Sequence, residues 1–175
     1  MERRVAKGMR ILGVLREVWK GGNLSRRIKM CMFEKICVPV ILYGCETWVM
    51  NRRVEKKLEV AEMKGLRAVC GKSRRDIVRN TRARELCNLG RGLVGREERG
   101  VMRWFGHVIR MEEERIPRRI LEYEVGGGRG RGRPRRRWMD GVEEILRRGG
   151  RGLEDGREVA RDRREWKRLV AGVGI

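Results

Sequence analysis

LVGREERGVMRWFGHVIRM, residues 93–111, decides the fold class. Val94, Val101, Trp104, Phe105, Val108 and Met111 recur at spacings that put them on one face of an α-helix. The stretches on either side repeat that reading. Towards the N-terminus, residues 3–20 carry Val5, Met9, Leu12, Leu15 and Trp19 at steps of three and four, and Gly21-Gly22-Asn23 ends the helix. Ser25 is an N-cap for a second helix with Ile28, Met32 and Ile36 on its inner stripe. Pro39 kinks or ends that helix, and the apolar segment 40–44 is read as buried, in helix rather than strand. Asn51 precedes a helix running to Cys70. Its inner stripe is Val54, Leu58, Ala61, Gly65 and Ala68, with Leu66 and Val69 beside it, and Gly71 stands at C′. Residues 72–90 are basic and offer two single turns, 76–78 and 84–87.

Beyond Met111, Pro117 suits the first turn of a short helix ending near Tyr123. Residues 126–134 form a Gly/Arg linker, because Gly offers no side chain to pack and Arg resists burial. A helix with Trp138, Val142, Ile145 and Leu146 follows and breaks at Gly149-Gly150. One last helix spans about 156–170, with Val159, Trp166, Leu169 and Val170 inside. No segment alternates apolar and polar residues for long, so the chain is all-α. The expected order is a small helical bundle over 1–71, a basic helical region over 72–125, the linker over 126–137 and C-terminal helices over 138–175. Trp19, Trp48, Trp104, Phe105, Trp138 and Trp166 are the core anchors, and the helices after the bundle are expected to pack loosely.

Charge points to a polyanion. Lys+Arg number 45 against 24 Asp+Glu, a formal +21. Basic side chains neutralise phosphates and release their condensed counterions. Most of the excess is arginine, whose planar fork suits phosphate and base contacts, although a GC-rich gene also enriches Arg and Gly. The expected partner is nucleic acid: RNA, RNA–DNA hybrid or duplex DNA. The basic runs and the lack of an evident leader or spanning segment predict an intracellular protein, nuclear or cytoplasmic, without a membrane partner.

Catalysis finds no support in the residues. Mg²⁺-dependent phosphoryl chemistry draws on converging carboxylates, yet Asp occurs only at 76, 140, 155 and 162, never as a pair. No phosphate loop of the Gly-Lys-Ser/Thr type occurs. The five cysteines form no C-x-x-C, and with one histidine they make no zinc-finger spacing, so neither metal nor cofactor is expected. His107 reads as structural or phosphate-contacting. The strongest binding feature is Arg129, Arg131, Arg133, Arg135, Arg136 and Arg137, six of nine consecutive residues. Three readings fit it: a general phosphate clamp, an inert linker, or an AT-hook. In the last, Arg131-Gly132-Arg133-Pro134 enters a narrow A·T minor groove. A second contact surface is assigned to Arg74, Arg75, Arg79, Arg103 and Arg110.

Several short blocks occur in one order: 42–48 (LYGCETW), Leu66-Arg67 with Cys70-Gly71, Arg75-Asp76 with Arg79-Asn80, 103–108 (RWFGHV), and Gly132-Arg133-Pro134 with Trp138-Met139-Asp140. That order resembles the C-terminal region of non-LTR (LINE-type) retrotransposon reverse transcriptases of animals, from about Arg10 to Trp166. The resemblance implies a parent with an endonuclease and a polymerase palm carrying Tyr-x-Asp-Asp, both upstream and both missing from this sequence. It also implies a thumb-like role for the first 70 residues or so and template or target binding beyond them, with the absent palm as a further partner. The Cys-Cys-His-Cys knuckle of some relatives is missing and segment 126–132 is unusually rich in Gly, departures that fit a truncated or decaying copy. Three expectations follow: a non-catalytic nucleic-acid-binding fragment, an AT-hook-like architectural module, or a decayed product without selected function.

Overall fold

A 20-residue helix, α1 (Glu2–Gly21), opens the chain. In the computed structural model, residues 2–123 and 136–174 are described, apart from the side chain of Arg74. Every regular element among them is helical: α2 (Arg26–Met32), a π-turn (Phe33–Cys37), α3 (Val38–Ile41), α4 (Arg52–Val69), α5 (Asn80–Leu86), α6 (Leu93–Ile109), α7 (Ile116–Glu122), α8 (Trp138–Arg148), α9 (Leu153–Arg161) and α10 (Arg163–Gly172), with short 3₁₀ turns at 45–47 and 74–76. The all-α expectation holds. The chain divides into two compact units, one holding α1 to α5 and the start of α6 to Glu97, the other holding Glu46–Asn51 and the chain from Glu98 onward.

In the first unit α1 packs on α3 and α4. Leu12, Leu15 and Trp19 are buried along one side of α1. Ser25 caps α2, its hydroxyl accepting from the Ile28 amide at 3.3 Å. The inner stripe of α2 differs from the expected one. Met30, Phe33, Cys37 and Ile41 are buried, whereas Ile28 and Ile36 are exposed. Two stripes competed at helical spacing, and the one carrying the phenylalanine was buried because it removes more apolar surface from water. The π-turn lies just before Pro39, whose ring would meet the carbonyl four residues back in a regular α-helix. Gly65 of α4 lies against Phe33, so close that a Cβ would stand 2.3 Å from the ring. Helix α4 ends as expected: Gly71 has φ +67, its amide donates to the Ala68 carbonyl at 3.1 Å, and the Lys72 amide donates to the Arg67 carbonyl at 2.7 Å. Over 72–90, the second expected turn is the two-turn helix α5.

The second unit is built around Phe105 and Trp166, ring centroids 5.6 Å apart, with Met102, Val142, Leu146, Ala160 and Val170 around them. Trp138 packs against this cluster and its indole donates to the Glu46 carbonyl at 2.9 Å. The expected last helix is in fact two. Asp162 breaks it and caps α10, one carboxylate oxygen accepting from the amides of Arg164 at 2.6 Å and Glu165 at 3.1 Å. The segment 126–134 lies outside the described residues.

Candidate nucleic-acid interface

The block Arg103–Val108 divides between core and solvent. Phe105 and Val108 are buried. Gly106 is a seat for Trp166: a Cβ there would stand 2.0 Å from the indole nitrogen, which donates to the Met102 carbonyl at 3.0 Å. Packing thus accounts for Phe105, Gly106 and Val108. Arg103 and His107 are exposed, and Arg110 continues the stripe two turns, about 10 Å, from Arg103. The inner face of α6 runs through Leu93, Val101, Met102, Phe105, Val108 and Ile109. Trp104 and Met111 lie at its border, half-buried, and Trp104 is not a member of the core cluster; its ring centroid is 5.6 Å from that of His107.

Arg110 donates to the Ala160 carbonyl at 2.6 Å, which holds its guanidinium in place. Burial, and then the charge of Arg163, lower Arg110 from its ordinary value. A guanidinium stays protonated regardless, so the two positive charges repel each other, and a nearby anion would relieve that repulsion. Among the described residues no carboxylate forms an ion pair with Arg103, Arg110 or Arg163. Arg163 is an addition to the residues named from sequence. Its proximity to Arg110 depends on α10 folding back beside α6, which no local pattern reveals.

The other named arginines fare differently. Arg75 and Arg79 are exposed on the segment before α5, and the Arg74 side chain lies outside the described residues. Their neighbours in that basic run are engaged: Arg82 pairs with Glu85, and Arg84 donates through Nε to the buried Glu62 at 2.9 Å. Glu62 also accepts from the Leu93 amide at 2.6 Å, so this ion pair ties α4 to the start of α6. Arg136 pairs with Glu144, and the Arg137 amide donates to Asp140 at 2.7 Å, capping α8. Arg129, Arg131, Arg133 and Arg135 lie outside the described residues. Of the expected anchors, Trp19 and Trp166 are buried and Trp48 and Trp138 half-buried.

A turn before α5 holds one strained residue. Ile77 has φ 46 and ψ 35, a left-handed conformation that costs a β-branched residue about 1–3 kcal/mol. Asp76 bonds the Ser73 amide at 2.6 Å and its hydroxyl at 2.9 Å, and Arg67 donates to the Asn80 side chain at 2.7 Å. The two bonds from Ser73 lower the Asp76 carboxyl below its usual range, the Ser73 amide contributing most. Among the described residues no cluster of His, Cys, Asp and Glu could hold a metal ion, and no helix is long and apolar enough to cross a membrane.

The chain is similar to an uncharacterized transposon-derived protein of Caenorhabditis elegans, 25% identical over 160 residues, which cover 83% of this chain and 55% of that protein. The chain therefore spans about half the length of that relative. The similarity supports a transposon origin. No protein-family model matches the chain, and no solved structure matches it significantly.

Proposed function

We propose that this chain is a nucleic-acid-binding fragment derived from a retrotransposon reverse transcriptase, holding template RNA or target DNA without catalysis of its own. The observation that carries the reading is the exposed stripe of Arg103 and His107 on α6 with Arg110 just past its end, joined by Arg163 and lacking carboxylate ion pairs among the described residues. Packing accounts for Phe105, Gly106 and Val108 of the same block, so the exposed arginine side chains and the His107 ring are left for a ligand. The +21 charge supplies long-range attraction, and Arg75 and the arginines from 129 to 137 are separate candidate contacts, each to be tested by itself. The transposon-derived relative supports the transposon origin alone, and the ordered sequence blocks support the reverse-transcriptase assignment.

The test is an equilibrium titration of the full chain against structured RNA, RNA–DNA hybrid, A·T-rich duplex and G·C-rich duplex at two salt concentrations. Tighter binding to RNA or hybrid is expected, with steep salt dependence. Arg103→Ala lowers the log–log salt slope by about one unit. Preference for A·T-rich duplex would instead assign the function to an AT-hook-like core at 131–134. Weak and equal binding to all four would identify a decayed product.

A further inference from the structure

A groove of about 980 Å³ runs between α1 and α4 and is closed at one end by the turn carrying Ile77. A smaller hollow of about 360 Å³ continues it towards Val5 and Arg53, sharing Met9, Lys56, Val60 and Lys64. The floor is aliphatic and thioether: Met9, Leu12, Val60 and Met63. Val60 is 48% exposed in the middle of it, and Ile77 is 88% exposed at its end. The rim is basic, with Arg16, Lys56, Lys64, Lys72 and Arg79 against one carboxylate, Glu59.

We propose that this groove docks an acidic amphipathic α-helix of a protein partner. An apolar floor between two helices accepts the apolar stripe of a third, and methionines adapt their shape to it. The flanking cations select a helix whose sides carry Glu or Asp. From Arg53 to Ala68 the groove is about 22 Å long, which matches a helix of about 15 residues presenting one apolar side chain per turn. Single-stranded nucleic acid fits less well, because no aromatic or histidine side chain lines the groove to stack a base. The strained turn belongs to this arrangement: Arg67 and the Ser73–Asp76 bonds hold Ile77 outward, where it meets the end of a seated helix.

The experiment uses the full chain and a labelled peptide of about 15 residues, with leucines at alternating three- and four-residue steps and glutamates on both flanks. A scrambled peptide of equal composition controls for bulk charge, and an oligothymidylate of similar length controls for nucleic acid. Fluorescence anisotropy at near-physiological salt is expected to show the patterned peptide binding about tenfold tighter than the scrambled one. Val60→Asp removes that preference, while the scrambled peptide weakens only by the modest effect of one added negative charge. Val60→Ser gives a milder loss in the same direction, and circular dichroism checks that both variants keep the parent's melting midpoint. Equal binding of the two peptides, or an unchanged preference in both variants, overturns the proposal. So does a loss of oligothymidylate binding in Val60→Asp that matches the loss for the peptide, since the groove then belongs to nucleic acid.

Discussion

Gly106 and Gly141 are both glycines inside helices, and they should respond oppositely to the same methyl group. At Gly141 on α8 nothing lies within 4 Å of an added Cβ, so Gly141→Ala gains helix propensity and stabilises by about 0.5–1 kcal/mol. At Gly106 the methyl meets the indole of Trp166, which is 3% exposed and hydrogen-bonded to the Met102 carbonyl. Neither partner can move without opening the core, so Gly106→Ala destabilises by about 1–3 kcal/mol despite the better propensity. Urea unfolding of the two variants beside the parent reads both signs. A neutral Gly106→Ala would mean that Trp166 has room to retreat, and the packing account of the 103–108 block would fail. Burial also sets the chemistry of the cysteines. It pushes the Cys37 thiol up to about 11 and is the main cause of Cys87 rising to about 12, so both are protonated at neutral pH. Cys70 and Cys87 share a thiol–thiol hydrogen bond, their sulfurs 3.3 Å apart, and are not joined by a disulfide.

Helix boundaries turn on side chains of the same small size. Asp162 separates α9 from α10 by accepting two backbone amides, and those bonds, from Glu165 first and then Arg164, hold its carboxyl below the ordinary 3.8. A depressed carboxyl stabilises the fold above its unfolded pKa, and the contribution disappears as pH falls through the folded one. Asp162→Ala should therefore melt below the parent at neutral pH, with the gap closing as the pH drops beneath 3.8. Thermal melts by circular dichroism across that range decide it; a gap that persists in acid would assign Asp162 a role other than charge-assisted capping. The break was written in the sequence as Asp162-x-x-Glu165, a helix-start pattern lying inside a run that otherwise reads as one helix. Helices α1, α4, α6 and α8 were legible because each shows one dominant apolar stripe ended by a glycine, a proline or a basic turn. Helix α2 was legible as an element but not in its buried face, since Ile28 and Phe33 belong to rival stripes. The exposed half of the α6 block could be named from sequence. Arg163 beside Arg110, Arg84 on Glu62 and the groove between α1 and α4 could not, because each depends on elements far apart in the chain being brought together.

Over the whole molecule, the cations not held by carboxylates decide what a polyanion can touch. Ion pairs already engage Arg82, Arg84, Arg136, Arg147, Arg148 and Arg151 among others, so charge alone overstates the contact surface. Many of these pairs are exposed and contribute little to stability, hence a phosphate can displace the carboxylate at small cost. The net +21 is unaffected by pairing and governs the approach of a ligand from a distance, which salt screens. Contacts are distinguished from mere attraction by counterion release, about 0.9 units of log–log slope per neutralised phosphate on duplex DNA. Changing Arg131, Arg133 and Arg137 together to Ala lowers the net charge by three whether or not these residues touch the ligand. If they touch it, the slope falls by roughly three units and the affinity falls with it. If they do not, affinity drops modestly at low salt, the slope keeps its value, and the Arg-rich segment is removed from the interface. The same measurement on Arg103→Ala then reports on α6 separately, because substitutions at independent phosphate contacts change the slope additively.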